Sequence, residues 1–289
     1  MNRFADSERT PAVPLKRASG KLLATLFVCG FLAVMPARSG RQEVSPGTVV
    51  RWPGQSLESC AMEARSWLPL QGACWYPIDL LTAPGSLTLV RQHDGMREET
   101  VVEVGAYPYE VQYITLEDDS QVQLSAEDLQ RVQEENRRIG SLWSRATPRR
   151  FELPLASPLA PLPSGGRFGA RRFFNNQPRS PHTGRDYSAA AGTPVLSVAA
   201  GTVALTGDFF FPGKSVFVDH GDGLISMYFH LSGVGVETGD DVARGEVLGL
   251  VGQSGRATGP HLHLGLRWHG ARVDPAQLMQ AVETVPALP

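Results

Sequence analysis

The sequence predicts a mainly β protein, in which an antiparallel β-sheet domain follows a small β-rich domain and one connecting helix. Short apolar runs bounded by turn residues occupy both 41–124 and 167–280, and such runs are typical of strands. Apolar residues recur at helical spacing within 125–146, which predicts the helix. A chain of 289 residues is long enough for about two domains.

The first forty residues have the layout of a secretory signal. Three basic residues precede an uncharged apolar run at 22–37, namely Lys16, Arg17 and Lys21. This run is shorter than the ~18–20 residues that span a bilayer, which favours a cleaved signal peptide at 1–40. The motif Met35-Pro36-Ala37 has a small residue only at its end, so an uncleaved membrane anchor through residues 22–37 is the alternative.

Cys60 and Cys74 are expected to form a disulfide within the small domain at 41–124. Export places a chain in an oxidising compartment, where two cysteines of one small domain commonly pair. Closing a loop of this size contributes about 3 kcal/mol in the chain-entropy description. The alternative is a metal site, but His93 is the one further ligand nearby, and its Gly-bearing turn favours a solvated loop.

The predicted helix at 125–146 begins at Ser125, which approximates a capping box with Asp128 three residues later. Its apolar residues recur at helical spacing: Leu129, Val132, Ile139, Leu142 and Trp143. Segment 147–166 contains five prolines, a spacing that favours a stiff, extended linker. We therefore place a domain boundary there.

The composition is that of an ordinary globular protein, with 42% hydrophobic and 19% charged residues. The formal net charge of -2 at pH 7 gives no overall attraction to nucleic acid or anionic membranes. Nucleic acid is therefore not an expected partner, and no protein partner is evident from the sequence. A short tail at 281–289 follows the large β domain.

Six of the seven histidines fall in the second half of the chain, and five donors there form three motifs. His182 and Asp186 belong to an H-x-G-x-D pattern, whose glycine permits a tight backbone that lets imidazole and carboxylate converge. His261 and His263 are two residues apart in a predicted strand, so they point to one face. His230 ends another apolar strand. Such nitrogen and oxygen donors suit Zn²⁺, and they exceed by two histidines the three ligands of a catalytic zinc.

These motifs resemble those of the lysostaphin-type (LytM-type) zinc metalloendopeptidases: HTGRD, YFHL and GPHLHLGL, with the connecting segments VDHGDGL and GDDVARGEVLGLVGQSGRATGPHLH. The resemblance covers about 165–278. It implies the LytM-type catalytic fold, with one Zn²⁺ per chain in a groove across the main sheet. It also implies His182, Asp186 and His263 as zinc ligands, and His230 and His261 as the catalytic pair.

Within that catalytic pair, we expect His261 to act as the base and His230 as the oxyanion donor, although the sequence leaves the two roles interchangeable. Zinc lowers the pKa of bound water toward about 7, which produces hydroxide near neutral pH. Attack of this hydroxide on a peptide carbonyl creates an oxyanion, which zinc and a protonated histidine stabilise.

Arg172, Asn176 and Arg179 precede or adjoin the first ligand and are candidates for binding substrate. Arginine binds carboxylates through two parallel hydrogen bonds, which suits the carboxylates of stem peptides. A solvated loop for the arginines and a turn for Asn176 are the alternatives. His220 and His269 are expected to have structural roles.

The resemblance implies an exported enzyme of the periplasm or cell envelope that hydrolyses peptide cross-links of bacterial peptidoglycan. Peptidoglycan stem peptides are the expected partner, and the bond between D-alanine and a diamino acid is the expected target of this D,D-endopeptidase. One alternative is a non-enzymatic activator of cell-wall amidases, but such relatives lose zinc ligands, whereas all five positions are filled here. The other alternative is a latent peptidase whose N-terminal domain covers the groove.

Overall fold

The computed structural model describes residues 42–115 and 123–289. The predicted signal or anchor at 1–40 lies outside the described residues. Strands dominate the described part and most of them pair in antiparallel fashion, which confirms the predicted fold class. None of its helices is long and apolar enough to cross a membrane.

The first seven strands form two small sheets. They are β1 (Gln42–Val44), β2 (Val49–Pro53), β3 (Leu57–Met62), β4 (Arg65–Trp67), β5 (Ala73–Pro77), β6 (Gly85–His93) and β7 (Met96–Val104). The five-stranded sheet has the order β1-β7-β6-β3-β4, and β2 pairs with β5. His93 ends β6 and lies 3.2 Å from Glu98, so it is an ion-pair partner rather than part of a cysteine metal site.

The predicted disulfide between Cys60 and Cys74 is present, and it joins β3 of one small sheet to β5 of the other. Both cysteines are fully buried in a core that also receives Leu288. The backbone N–H of Leu288 donates to the Arg51 carbonyl at 2.8 Å. The segment predicted as a tail, 281–289, is therefore packed against this small core and not loose.

The predicted helix is confirmed as α1 (Ala126–Gly140), followed by a 3-10 turn at Ser141–Ser144. The backbone N–H of Asp128 donates to the Ser125 hydroxyl at 3.0 Å, which caps the first turn as expected. At the other end, buried Leu142 packs into a cluster with Phe217 and Met227 of the large sheet. This contact fixes the helix against the second half of the chain.

Segment 147–166 lacks regular structure up to its last residues, but it does not act as a linker between separate units. Four of its side chains are buried in the core of the large β domain: Phe151, Leu153, Leu155 and Leu159. The backbone N–H of Leu155 donates to the Leu278 carbonyl at 2.7 Å. Because these apolar residues alternate with the prolines, the segment packs as an extended strap, and Gly40–Pro289 forms one compact unit.

The large sheet has ten strands and carries the motif histidines. Its members are β9 (Gly165–Gly166), β12 (Gly184–Ser188), β13 (Pro194–Leu196), β14 (Gly201–Phe209), β15 (Gly213–Asp219), β16 (Leu224–Val234), β17 (Asp241–Val242), β18 (Val247–Val251), β19 (His261–Trp268) and β20 (Ala271–Val273). The main order is β17-β14-β15-β16-β19-β12-β9. A short helix, α2 (Pro275–Met279), and a 3-10 turn at Val282–Thr284 follow.

A separate three-stranded sheet forms one wall beside the large sheet. It consists of β8 (Val111–Ile114), β10 (Arg171–Phe174) and β11 (Gln177–Arg179), in the order β11-β10-β8. β8 runs parallel to β10 and places Ile114 beside Phe174. Since β8 comes from the N-terminal part of the chain, that part directly supports the segment that precedes the first motif histidine.

His220 belongs to a fully buried hydrogen-bonded chain under the large sheet, which agrees with its expected structural role. Its Nδ1 lies 2.9 Å from the Ala200 carbonyl, and its Nε2 lies 2.7 Å from the Ser226 hydroxyl. The Ser226 hydroxyl is also 3.0 Å from that of Tyr228, which accepts from the Val198 N–H at 2.9 Å. Burial lowers the pKa of His220 to about 4, so the imidazole is neutral at pH 7.

Acidification is expected to destabilise the wild-type protein more steeply than the His220→Asn variant. The folded-state pKa of about 4 lies below the ordinary value of 6.5, so the stability contribution is complete above pH 6.5 and is lost as pH falls toward 4. The difference in slope approaches about 1.4 kcal/mol per pH unit in this window. Urea unfolding of both proteins at pH 7, 6 and 5 measures it, and equal slopes would contradict a neutral buried imidazole.

Candidate metal centre

Three side chains converge where β12 and β19 pair. Asp186 and His263 face each other in the register of these two strands, and His182 lies just before β12. His182 Nε2 is 2.8 Å from His263 Nδ1 and 3.0 Å from Asp186 Oδ1. His263 Nδ1 is 2.9 Å from the same carboxylate oxygen. These residues are the group in the described part of the chain that could hold a metal ion.

The hydrogen bonding and charge of this group fit a cation. His182 Nδ1 lies 2.8 Å from the Arg167 carbonyl, so it carries the proton and leaves a lone pair on Nε2. Burial lowers the pKa of His263 to about 4, which keeps a second imidazole neutral at pH 7. Lone pairs and a carboxylate thus face one another, an arrangement that a metal ion satisfies. Ligands of a tetrahedral zinc stand roughly 3.3 Å apart, close to the separations found here.

The carboxylate of Asp186 is ionised and held from both sides. Burial by itself raises its pKa, but the two imidazole contacts, with His182 at 3.0 Å and His263 at 2.9 Å, outweigh burial and hold the pKa well below its usual range. Its second oxygen, Oδ2, accepts from Arg172 at 3.2 Å. Arg172 was a candidate for substrate binding, but this contact directs its guanidinium to a predicted metal ligand and orients that carboxylate.

Gly184 lies on β12, where it pairs with Gly265 of β19. A Cβ at this position would overlap the Leu264 carbonyl and the His263 imidazole. The glycine of the H-x-G-x-D motif is therefore required by the lack of space for a side chain.

The Gly184→Ala variant is expected to bind metal more weakly and to lose about 1–3 kcal/mol of stability, because the added methyl group must displace backbone or the His263 ring. Metal content after dialysis and thermal unfolding measure the two effects. Gly233→Ala is the matched control, since no atom lies within 4 Å of a Cβ built there. Equal metal retention in the two variants would show that the His263 ring is not constrained by Gly184.

His261 and His230 stand beside the three donors. His261 begins β19, with Nδ1 2.8 Å from the Gly259 carbonyl and Nε2 3.7 Å from Asp186 Oδ1. The centres of the His230 and His261 rings are 4.8 Å apart. The two histidines of β19 thus point to one side of the strand, as the strand period predicts. His230, from the third motif, lies beside them.

His230 is held by its backbone as well as by its ring. Its φ of 65° lies in the left-handed region, which is uncommon for a non-glycine residue and often marks functional positions. Its N–H donates to the Pro212 carbonyl at 2.9 Å, and its Nδ1 lies 2.8 Å from the Ser254 carbonyl. Burial, reinforced by His263 and His261, lowers the pKa of His230 to about 3. The neutral ring therefore presents an unprotonated Nε2.

Three of these five side chains, Asp186, His230 and His261, line a groove of about 480 Å³. Its other walls come from the three-stranded sheet, through Ile114 and Phe174, and from the loop that precedes β19. The sequence did not single out any residue of this loop as part of the site. These residues include Arg256, which lines the groove, and Ser254 and Gly259, whose carbonyls contact the rings of His230 and His261. The only sequence signal for a close-packed loop was the presence of three glycines within 252–259.

Two predicted substrate-binding residues do not line the groove. Asn176 is exposed and occupies, with Asn175, the two-residue turn between β10 and β11, where both have positive φ. Asparagine suits such a turn, so the turn is the better explanation of this residue. Arg179 donates from Nη2 to Gln177 at 2.8 Å and from Nη1 to the Pro178 carbonyl at 3.0 Å.

Comparisons with known proteins agree with this geometry. Residues 180–275 match the model of peptidase family M23. Over 95 residues the chain is 40% identical to the peptidoglycan DD-endopeptidase ShyA of Vibrio cholerae, and over 97 residues it is 42% identical to the DD-carboxypeptidase/endopeptidase Mpg of Neisseria meningitidis. These matches cover 33% and 34% of this chain, and the chain spans only 22% of the length of either relative.

A solved structure extends the likeness to nearly the whole described chain. It is a Pseudomonas aeruginosa protein assigned to peptidase M23, with 34% identity and a TM-score of 0.62, and the match covers 81% of this chain and 94% of that one. Both the N-terminal part and the large sheet therefore have counterparts in that protein. The fold, the convergent motifs and this similarity together show that the chain belongs to peptidase family M23.

Proposed function

We propose that this protein is an exported zinc endopeptidase that hydrolyses peptide cross-links of bacterial peptidoglycan. The observation that carries the proposal is the convergence of His182, Asp186 and His263, with two further imidazoles directed at the same space. The names of the relatives in Vibrio cholerae and Neisseria meningitidis support a DD-endopeptidase. The bond between D-alanine and a diamino acid is the proposed target.

Zinc would be held by His182, Asp186 and His263. When bound there, it would supply Lewis acidity that polarises a peptide carbonyl and acidifies water. Arg172 would keep the Asp186 carboxylate oriented through its hydrogen bond to Oδ2, as outer hydrogen bonds to metal ligands do.

His261 and His230 would move the protons. Carbonyl groups hold Nδ1 of both rings, so each neutral ring accepts a proton at Nε2 and, once protonated, donates from it. His261 is the proposed base because its Nε2 lies nearer to the ligand donors, at 3.7 Å from Asp186 Oδ1. His230 is the proposed oxyanion donor, and because its Nε2 is unprotonated in the resting site, it would have to take up a proton before it donates to the oxyanion of the cleaved carbonyl.

The buried disulfide supports location in the periplasm or cell envelope, because disulfides persist in oxidising compartments. All five polar side chains of the proposed site are present, which favours an enzyme over a non-enzymatic activator. Pairing of β8 with β10 also brings the N-terminal part of the chain to the groove wall, where it could limit access in a latent peptidase.

The test is to incubate the purified protein, with and without stoichiometric Zn²⁺, with intact peptidoglycan and to identify the soluble products by mass spectrometry. Conversion of cross-linked dimers to monomers only in the presence of zinc is the expected result, and the product masses identify the bond. Bound zinc without any product would favour the activator, which can be examined by adding a cell-wall amidase.

A further inference from the structure

We propose that two tyrosines of the N-terminal part of the chain, Tyr107 and Tyr109, position His182 for metal binding. They lie between β7 and β8 and contact the turn at 167–170, which holds the His182 imidazole. We call the two side chains the tyrosine clamp. The inference rests on the metal site of the function proposed above and adds positioning residues to it. It makes the N-terminal part of the chain a component of the metal centre.

The turn at 167–170 determines where the His182 side chain points. The Arg167 carbonyl lies 2.8 Å from His182 Nδ1, and such a contact fixes the ring and directs its other nitrogen to a metal. The Gly169 N–H donates to the His182 carbonyl at 2.8 Å, and the His182 N–H donates to the Ala170 carbonyl at 2.9 Å. A shift of this turn therefore moves both the backbone and the imidazole of a predicted ligand.

The backbone of this turn requires support from its surroundings. Arg167 has a φ of 72° and Gly169 a φ of 75°, both in the left-handed region. A non-glycine residue in this region is strained, and it persists where the contacts around it hold it in place. Arg167 is also the residue whose carbonyl contacts the His182 ring. The direction of that carbonyl thus depends on the contacts that hold the turn.

The tyrosine clamp supplies such contacts. The Tyr107 hydroxyl donates to the Gly169 carbonyl at 2.6 Å. The Tyr109 ring lies directly on Gly169, because a Cβ at this glycine would come within 2.4 Å of the ring atoms. The same ring packs edge-on against Phe168, with the ring centres 5.6 Å apart. One polar and two apolar contacts therefore converge on the residues that follow Arg167.

The clamp is itself anchored on both sides. The two tyrosine rings meet edge to face with centres 5.1 Å apart, and the Tyr109 hydroxyl donates to the Pro46 carbonyl at 2.7 Å. The Arg171 guanidinium lies 4.7 Å from the centre of the Tyr107 ring, and the Arg171 N–H donates to the Glu110 carbonyl at 2.9 Å. The clamp thus orders His182 in the absence of metal, and an ordered ligand loses less freedom when it binds.

This role predicts the opposite of what a removable cover predicts. Loosening a segment that only covers the groove raises activity. Loosening the clamp instead lets the Arg167 carbonyl and the His182 ring move, which weakens metal binding.

The test measures the affinity of the full chain for Zn²⁺ by competition with a chromogenic chelator, together with the absorption spectrum of the Co²⁺ form, which reports ligand geometry. Tyr107→Phe removes one hydroxyl, keeps the ring, and is expected to weaken zinc binding about 3- to 10-fold, the range of one hydrogen bond. Tyr109→Leu should weaken it about 10- to 100-fold, the range found when the outer support of a metal ligand is lost. Tyr109→Phe keeps the ring that packs on Gly169 and should retain most of the affinity.

Tyr76→Phe is the matched control. The Tyr76 hydroxyl donates to the Val90 carbonyl at 2.7 Å within the small N-terminal core, and the side chain is fully buried. Its loss should lower the temperature of unfolding at least as much as Tyr107→Phe does, with unchanged zinc affinity and an unchanged Co²⁺ spectrum. This comparison separates positioning of His182 from general stability.

A second readout needs no metal. The Nδ1 proton of His182, identified in NMR spectra by its absence from His182→Ala, should exchange faster with solvent in Tyr107→Phe and Tyr109→Leu than in the wild type. Faster exchange in a protein that binds no zinc, or clamp-dependent zinc binding without peptidoglycan products, would contradict the proposed function and leave the clamp standing. Unchanged zinc affinity in both clamp variants, or an equal loss in Tyr76→Phe, would overturn the clamp.

Discussion

The His263→Ala variant is expected to purify without bound metal and to lose peptidase activity by roughly 10³-fold or more. His263 supplies one of three converging donor atoms, and its side chain is only 8% exposed. Its ring also stacks on Phe229 at an interplanar angle of 4°. Removal of the imidazole leaves two donors and a small void. No neighbouring side chain can supply the third donor or fill the void without movement.

Metal content by mass spectrometry and cleavage of cross-linked dimers measure the two consequences together. His93→Ala is the matched control, because His93 is a partly exposed histidine on β6 that pairs with Glu98. This control is expected to retain one zinc and wild-type activity. If His263→Ala kept one equivalent of metal with unchanged affinity, the assignment of the three ligands would be wrong.

The His261→Ala variant is expected to keep its metal and to lower kcat by about 10²–10⁴-fold, the usual effect of removing a general base. His261 Nε2 stands 3.7 Å from Asp186 Oδ1, but His261 is not part of the group of three converging donors. Loss of activity without loss of metal would therefore separate proton transfer from metal binding.

His230→Ala serves as the comparison for His261→Ala, and stopped assays with a single dimer give kcat and KM for both. A lower kcat with similar metal content is expected for each, since both rings present Nε2 to the same space. Loss of zinc from the His261→Ala protein would instead place this residue among the ligands. Wild-type kcat in that variant would require another base.

Much of the site was predictable because its signals are local. Two histidines separated by one residue in a strand share a face, and β19 places His261 and His263 in that way. The glycine between His182 and Asp186 predicts a tight backbone, and Gly184 indeed has no room for a Cβ. The helix cap at Ser125 was likewise readable, since the capping hydrogen bond joins residues three apart.

Packing between distant segments was less predictable. The prolines of 147–166 suggested a linker, but the apolar residues between them are buried in the large core. A proline spacing describes backbone stiffness and does not indicate which surface an extended segment covers. The same holds for 281–289, whose Leu288 enters the small N-terminal core.

The sequence by itself determined the β-rich fold class and the family, and it predicted the disulfide pair and the five polar side chains of the candidate site. Only the tertiary structure decided which groups these side chains contact. Arg172 contacts Asp186, which lies 14 residues further along the chain. Arg256 packs on Phe211, which belongs to a separate loop. Backbone carbonyls that hold the imidazole nitrogens are common to all residue types, so no sequence pattern marks them. Their positions depend on how the strands and loops pack, which is the physical reason that proton placement required the structure.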